Sequence, residues 1–305
     1  MKMGLAALWA NLLLAATCCG GGKEAAVNRE LIVCGWDEVF ILDYAKLDAD
    51  GKPAKTWSWK AAERQDLPEA FRGKFATTDE CKPDANGSNI LVTASSGGIA
   101  VVRRADGAVR FHAAGSNVHS ADWLPNGRIA VAMSVCSRGE GDRLTLFDLG
   151  RPNAPLQHEP LPGGHGAVWD GKRHLLWALS SVDIRVFRLE SWDTDAPRLV
   201  KIETIPLPEG GGHDFFPVPD SDDLTVTTSG HVWLFNRADK AFRKHPVLGD
   251  VRHVKCVNRH PVTGRTVYVK ADEPNWWSAS LRFLEPEGDY TVPGEHFYKA
   301  RWNSR

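Results

Sequence analysis

The sequence lacks several features that would assign it to a common functional class. Among its 305 residues are only six cysteines, and no two of them form a Cys-x-x-Cys pair. This absence excludes a zinc ribbon and a thioredoxin-like redox motif. Neither sign of charge is in excess, since the sequence has 37 lysines and arginines and 38 acidic residues. The basic residues also do not cluster into a stripe along the sequence. Nucleic acid and anionic membrane surfaces are therefore not expected partners.

Long apolar runs are also scarce, and the single clear one, GLAALWANLLLAAT, begins at Gly4, shortly after Lys2. It is too short to cross a bilayer and has the form of a signal peptide, so we expect residues 1–18 to direct export. The next residues, CCGGGKEAA, are similar to a bacterial lipoprotein leader with a flexible tether over residues 19–28. Lipidation at Cys18 or Cys19 would anchor the protein at the cell envelope; otherwise the protein would be periplasmic. The four remaining cysteines leave disulfide pairing open.

After this leader there is no amphipathic helix pattern of ten residues, and strand-like segments repeat instead. Five times, a histidine precedes or opens a short alternating or apolar run: His119, His165, His213, His253 and His296. These histidines are separated by 46, 48, 40 and 43 residues. That period is the length of a four-stranded propeller blade, and further strand-like runs bounded by turn residues follow each histidine.

The two ends of the repeat are incomplete in complementary ways. The segments RELIVCGWD, EVFILDY and KTWSWKA lack an innermost strand, whereas the final EHFYKARWN is an innermost strand without partners. Pairing these ends closes the ring and leaves no open sheet edge. The sequence thus predicts an all-β, six-bladed β-propeller over residues 29–305, formed as one domain and monomeric.

The innermost strand of each blade lines the central channel, so the five histidines should gather at one mouth. The remaining blade offers Asp79 or Glu80 at the equivalent position. Three hypotheses follow: structural histidines like those of WD repeats, a metal site, or metal-free acid-base chemistry. The metal site is favoured, because imidazole is a preferred ligand of zinc, manganese and iron. The predicted ligands of this divalent transition metal are His119, His165, His213, His253, His296 and Glu80.

Loops on the histidine face should determine specificity. Tryptophans there suit stacking on sugar rings, and cations suit an anionic substrate. The predicted substrate-binding residues are Trp36, Arg138, Trp276 and Trp277 on the rim, with Lys82 and Arg301 behind the histidines. The predicted catalytic residues are Tyr298, Lys255 and His165.

The blade-like repeats, the export signal with its glycine tether and the histidine ring together resemble secreted bacterial β-propellers of an uncharacterised family encoded in glycan-degrading organisms. More distantly, the chain looks like propeller-fold polysaccharide lyases such as the oligogalacturonate lyases. That resemblance implies a histidine-bound divalent metal at the channel mouth and a carbohydrate ligand that contains uronic acid. We therefore expect a secreted carbohydrate-active metalloenzyme.

A lyase is favoured over a hydrolase, because the repeats show no pair of acidic residues for glycoside hydrolysis. The alternative is a non-catalytic glycan- or protein-binding propeller with a structural metal.

Overall fold

A computed structural model describes residues 27–137 and 139–303, which form 24 strands and three short helices. The strands are β1 (Glu30–Gly35), β2 (Glu38–Leu47), β3 (Pro53–Lys60), β4 (Thr78–Pro83), β5 (Asn89–Ala94), β6 (Gly98–Arg103), β7 (Val109–Ala114), β8 (Val118–Leu124), β9 (Arg128–Met133), β10 (Arg143–Asp148), β11 (Pro155–Pro160), β12 (Gly166–Asp170), β13 (Leu175–Leu179), β14 (Asp183–Glu190), β15 (Arg198–Pro206), β16 (Asp214–Pro217), β17 (Asp223–Thr227), β18 (Val232–Asn236), β19 (Phe242–Lys244), β20 (Val254–Arg259), β21 (Thr266–Lys270), β22 (Ser280–Leu284), β23 (Gly288–Thr291) and β24 (Lys299–Trp302). The helices are the α-helix α1 (Glu69–Arg72) and two 3-10 turns, Ala61–Glu63 and Gly73–Phe75.

These strands form six four-stranded antiparallel sheets, each of which is one blade of a propeller. Blade 1 has the order β24-β1-β2-β3 from the axis outward, and blades 2 to 6 take β4–β7, β8–β11, β12–β15, β16–β19 and β20–β23 in turn. The all-β, six-bladed prediction is confirmed.

The C-terminal strand closes the ring, also as predicted. Strand β24 pairs antiparallel with β1, so that Leu31 faces Trp302 and Cys34 faces Lys299. The Trp302 amide also donates a hydrogen bond of 2.6 Å to the Asn258 side chain of blade 6. The last strand thus joins the first blade to the last and removes the open sheet edges there.

Apolar side chains fill the space between each pair of neighbouring blades. Between blades 1 and 2, for example, Trp59, Phe75 and Val92 belong to one buried cluster, and similar clusters follow around the ring. Strands such as β9 (RIAVAM) are buried along their whole length, because blades cover both of their faces. This explains why the second strands of the repeats read as continuous apolar runs.

The three short helices lie in the connection from blade 1 to blade 2, which the sequence did not predict. Phe75 at the end of this connection packs edge-on against Trp59, with ring centroids 5.3 Å apart. In the part of the chain that the structure describes, no helix has the length and apolar character needed to cross a membrane.

The predicted signal peptide and most of the predicted tether lie outside the described residues. The last tether residue, Asn28, contacts the propeller: its side chain donates a hydrogen bond of 2.7 Å to the Asn303 carbonyl. The four described cysteines, Cys34, Cys81, Cys136 and Cys256, are free thiols.

Candidate functional site

Three of the innermost strands carry a β-bulge at the same mouth of the channel. The pairing register shifts between Thr78 and Glu80 in blade 2, between Val118 and Ser120 in blade 3, and between Val254 and Cys256 in blade 6. The extra residues are Asp79, His119 and Lys255. Because a bulge redirects the side chain of its extra residue, these three side chains leave the regular alternation of their strands.

Together with two further histidines, the bulged residues form a continuous row across five neighbouring blades, which we call the polar arc: Asp79, His119, His165, His213 and Lys255. Asp79 Oδ1 lies 3.2 Å from His119 Nδ1. The ring of His119 stacks on that of His165 at a centroid distance of 4.2 Å, and His165 meets His213 edge-on at 4.9 Å. At the other end, Lys255 Nζ is 3.2 Å from His213 Nε2.

Burial sets the protonation of the middle of the arc. It lowers the pKa of His165 well below 6.5, and the charges of His119 and His213 lower it further. Burial, followed by the charge of Lys255, has the same effect on the pKa of His213. Burial, with a contribution from Lys299, lowers the pKa of Lys255 to about 8. At neutral pH the two histidines are therefore neutral acceptors, and Lys255 is an ammonium that loses its proton slightly above that pH.

A network of buried charges fills the channel beside the arc. Arg301 Nε donates to Glu80 Oε1 at 2.8 Å, and Arg301 Nη1 donates to Asp214 Oδ2 at 3.0 Å. Lys299 Nζ lies 3.5 Å from Glu80 and 3.4 Å from Asp214, and Lys82 Nζ lies 3.8 Å from Glu80. Burial opposes the ionisation of Glu80, but the neighbouring cations outweigh it and lower the pKa of this carboxyl group. Glu80, a predicted metal ligand, is thus held by cations.

Asp79, not Glu80, is the carboxylate beside the histidines. The sequence left the choice between these two residues open and preferred Glu80, whereas the bulge directs Asp79 to His119. Arg301 and Lys82, both predicted to bind substrate, are 0 % exposed in the channel network. Their positive charges therefore act on the channel mouth through the electrostatic field and not by direct contact with solvent.

Two of the five predicted histidines lie apart from the other three. His253 pairs with Glu273 through a distance of 3.0 Å between Nε2 and Oε1. His296 stacks on Trp36 with ring centroids 4.3 Å apart. The structure therefore brings three of the five predicted histidine rings, those of His119, His165 and His213, into direct contact and places the other two elsewhere.

The second predicted group of residues forms an aromatic cluster on the rim. Trp36 lies 5.5 Å from Trp276 and 4.8 Å from Trp277, measured between ring centroids, and Trp276 meets Tyr298 at 5.4 Å. Trp36 and Trp276 remain 37 % and 38 % exposed, whereas Tyr298 is buried. We call these residues, together with His296, the aromatic rim.

The backbone of the rim is strained. Trp36 has a φ of +53°, a conformation that is costly for a bulky side chain and that is concentrated at functional sites. The preceding Gly35 permits this geometry, because a Cβ atom there would lie only 1.8 Å from the His296 carbonyl oxygen. The fold thus holds Trp36 and His296 in contact through a glycine that no larger residue can replace.

The arrangement of the described residues does not resemble a formed metal site. Among them, no group of three or more His, Cys, Asp and Glu side chains is placed to hold an ion. His119 and His165 stack face to face, with an interplanar angle of 21°, and the Nε2 atom of His213 is directed to Lys255. The transition metal expected from the histidine spacing stays a prediction. Arg138, the remaining predicted rim residue, lies outside the described residues.

Sequence reasoning missed Asp214 and Lys299, which complete the channel network. Each directly follows a predicted site residue, His213 or Tyr298. A usable signal was present, since a charged residue in a strand that is otherwise apolar needs a buried partner. What the pattern did not indicate was that consecutive residues would both face the channel region.

The fold and this site define a six-bladed β-propeller with a row of titratable side chains at one channel mouth. The chain belongs to the family described as "Family of unknown function (DUF6528)", whose model matches residues 1–304.

Among solved structures, the chain is similar to one titled "Crystal structure of Nidogen/Laminin Complex", with a TM-score of 0.60 and 13% identity over 89% of this chain and 97% of that one. At that identity the likeness shows the fold alone. No curated protein matches the chain.

Proposed function

We propose that the channel mouth is the active site of an exported carbohydrate-active enzyme, a lyase that cleaves a glycan containing uronic acid. The observation that carries the proposal is the polar arc, which bulges in three blades build beside an aromatic rim. Packing alone does not require three bulges whose extra residues are an aspartate, a histidine and a lysine. Titratable groups collected in this way are typical of proton-transfer sites.

The charge of the channel favours an anionic substrate. Three buried cations, Lys82, Lys299 and Arg301, accompany two carboxylates, Glu80 and Asp214. The arc above them adds one ammonium group, that of Lys255, and one carboxylate, that of Asp79, so that the cations exceed the carboxylates by one. An excess of positive charge in a water-poor channel attracts an anion such as the carboxylate of a uronic acid. The aromatic rim provides faces on which neighbouring sugar rings can stack.

Elimination is the reaction that this set of groups supports. A neutral imidazole of the arc accepts the proton on the carbon next to the carboxylate, and the electrons of that C–H bond become a C=C double bond. The bond from the adjacent carbon to the glycosidic oxygen then breaks, and the leaving oxygen takes a proton from Tyr298. Burial raises the pKa of Tyr298 well above 10, so the phenol is protonated and serves as a donor. The Lys255 ammonium offsets the charge that develops on the substrate carboxylate.

Hydrolysis by two carboxylates is less well supported. It requires one carboxyl group as acid and another as nucleophile or base. The two carboxylates of the channel, Glu80 and Asp214, are both bound to Arg301 and are buried. Neither is placed to exchange protons with a sugar at the mouth.

The test is turnover of a panel of neutral and uronic-acid glycans by the purified protein, followed by ultraviolet absorbance of the unsaturated product. Absorbance that rises only with uronic-acid glycans is the expected result. New reducing ends without absorbance would identify a hydrolase. Binding without turnover on the whole panel would favour the alternative, a glycan- or protein-binding propeller that uses the exposed tryptophans of the rim.

The predicted metal ion can be tested on the same purified protein. Elemental analysis of the purified protein, with turnover measured before and after chelation, tests for zinc, manganese or iron. A stoichiometric ion whose removal abolishes turnover supports a metalloenzyme. Turnover that chelation leaves unchanged would assign the acid-base work to side chains alone.

A further inference from the structure

Asp79 and His119 form a contact at one end of the polar arc that no other pair in the arc repeats. One carboxylate oxygen of Asp79 accepts a hydrogen bond from the Ser95 amide. The other, Oδ1, lies 3.2 Å from His119 Nδ1. Both of these atoms are buried, their contact lies outside hydrogen-bond geometry, and neither has another hydrogen-bond partner among the described residues. Buried polar atoms need a partner, and each of these two atoms is a complementary group within reach of the other.

The ring of His119 is fixed from two sides. His119 is the extra residue of the β8 bulge, which fixes its backbone. Its ring stacks on the ring of His165, with the ring centroids 4.2 Å apart. The two nitrogens of an imidazole lie on opposite sides of the ring, so that Nδ1 directed to Asp79 turns Nε2 away from it. A carboxylate partner at one nitrogen selects the tautomer with the proton on that nitrogen.

The other two histidines of the arc are less suited to accept a proton. His213 Nε2 already faces the ammonium of Lys255 at 3.2 Å. His165 Nδ1 is 2.8 Å from the Gly163 carbonyl, a partner without net charge. A carboxylate stabilises the imidazolium that forms when a histidine takes a proton, and only His119 has one beside it in the arc.

We propose that Asp79 is a positioning residue that keeps the proton of neutral His119 on Nδ1, and that His119 Nε2 is the base of the reaction. This inference rests on the proposed lyase function. His119 Nε2 takes the proton next to the substrate carboxylate, the C–H electron pair forms the double bond, and Tyr298 protonates the leaving oxygen. His119 then gives its proton to water and the Tyr298 phenolate takes a proton from water, so that both groups are restored before the next turnover.

The first experiment reads the tautomer directly by nitrogen-15 NMR of protein with labelled histidine, with the His119→Asn variant identifying the signal. In the unmodified protein we expect the neutral ring to carry its proton on Nδ1. In Asp79→Asn, whose side chain still offers an oxygen to Ser95, we expect the proton to move to Nε2, because the amide can donate to Nδ1. A proton on Nε2 in the unmodified protein would overturn the proposal.

The second experiment measures kcat and KM of Asp79→Asn on the uronic-acid glycan. We expect kcat to fall by about 100-fold or more, the usual contribution of one acid-base group, with KM changed little. His174→Asn is the matched control, since His174 is exposed, lies outside the arc and has a φ of +53° that asparagine tolerates.

The two readouts separate the claims. The expected tautomers with an unchanged kcat would overturn the assignment of His119 as the base and leave the lyase function standing. The expected tautomers in a protein without turnover on any glycan would support the positioning by Asp79 while the proposed function fails. If the circular dichroism spectrum shows that Asp79→Asn is unfolded, Asp79→Glu replaces it. In Asp79→Glu we expect the proton of His119 to stay on Nδ1, and a proton on Nε2 would overturn the positioning by Asp79.

Discussion

At the scale of single residues, the site depends on side chains whose environment changes their chemistry. Lys255 is only 5 % exposed and lies near the charge of Lys299, so its ammonium form is stabilised less than that of a surface lysine and its pKa is lowered. Tyr298 is held protonated by the same burial. The proposed roles, cation for one and proton donor for the other, follow from these environments.

The role of Lys255 leads to a prediction about pH. If its ammonium binds the substrate carboxylate, kcat/KM on a uronic-acid glycan should fall as pH rises through about 8, because the charge is lost there. Lys255→Met should lower kcat/KM by about 10- to 100-fold, the value of a hydrogen bond to a charged group, and should remove this alkaline limb. The measurement is a pH profile of initial rates, with exposed Lys52→Met as control. A rate that instead rises through pH 8 would make Lys255 a base.

The aromatic rim leads to a second prediction. Trp276→Ala removes an exposed ring that contacts Trp36, Trp277 and Tyr298. We expect substrate affinity to fall by roughly fivefold, since an aromatic contact contributes about 1 kcal/mol beyond its area. Isothermal titration with a uronic-acid oligosaccharide measures this change. Val182→Ala, at an exposed apolar position outside the rim, should bind as before, and an unchanged affinity in Trp276→Ala would remove the rim from the binding site.

At the scale of elements, β24 is both a structural and an electrostatic component. It supplies Lys299 and Arg301 to the channel while pairing with β1. The two carboxylates opposite, Glu80 and Asp214, come from blades 2 and 5, so that the network links three blades across the axis. Removing Arg301 leaves Glu80 and Asp214 buried with only the more distant ammonium groups of Lys82 and Lys299 as partners, which is costly.

We therefore predict that Arg301→Met lowers the free energy of unfolding by about 3–5 kcal/mol. The pKa values of Glu80 and Asp214 are lowered in the folded protein, so their contribution is present above their ordinary values of 4.5 and 3.8 and disappears as pH falls through the folded-state pKa. Urea unfolding from pH 7 down to pH 3 should show a steep acid limb that is weaker in Arg301→Met. Arg301→Lys, which keeps a cation between the two carboxylates, should lose less stability than Arg301→Met, whereas equal losses in the two variants would mean that Arg301 acts through packing.

At the scale of the whole molecule, stability depends on closing the ring. Each blade buries its faces only against its two neighbours, and blade 1 lacks an innermost strand until β24 arrives from the C-terminal end. The cluster between blades 6 and 1 includes Ala300 and Trp302 of that strand. Loss of β24 would expose this cluster and the pairing edge of β1.

A chain that ends at Gly294 should therefore fail to unfold cooperatively and should aggregate, whereas a chain that ends at Asn303, with β24 intact, should behave like the full chain. Thermal unfolding followed by circular dichroism, with light scattering, compares the two. A cooperative transition of equal midpoint in the shorter chain would show that the ring does not need its last strand.

The sequence by itself determined the architecture. Histidine-led repeats of 40 to 48 residues set the number of blades, and the complementary ends required closure by the last strand, because a propeller tolerates no open edge. It also selected the rim tryptophans and most residues of the arc, since equivalent positions of repeats come to equivalent places around one axis.

Only the tertiary structure decided which of these residues meet. A sequence pattern assumes strict alternation along a strand. By that rule Lys255 would share a strand face with His253, two residues before it, and nothing in the pattern chose Asp79 over Glu80. The bulges break that alternation and arise from how neighbouring strands fit together, which no local pattern encodes. For the same reason the sequence did not foresee that Glu80 would join Arg301, because a partner 221 positions away is chosen by packing across the channel.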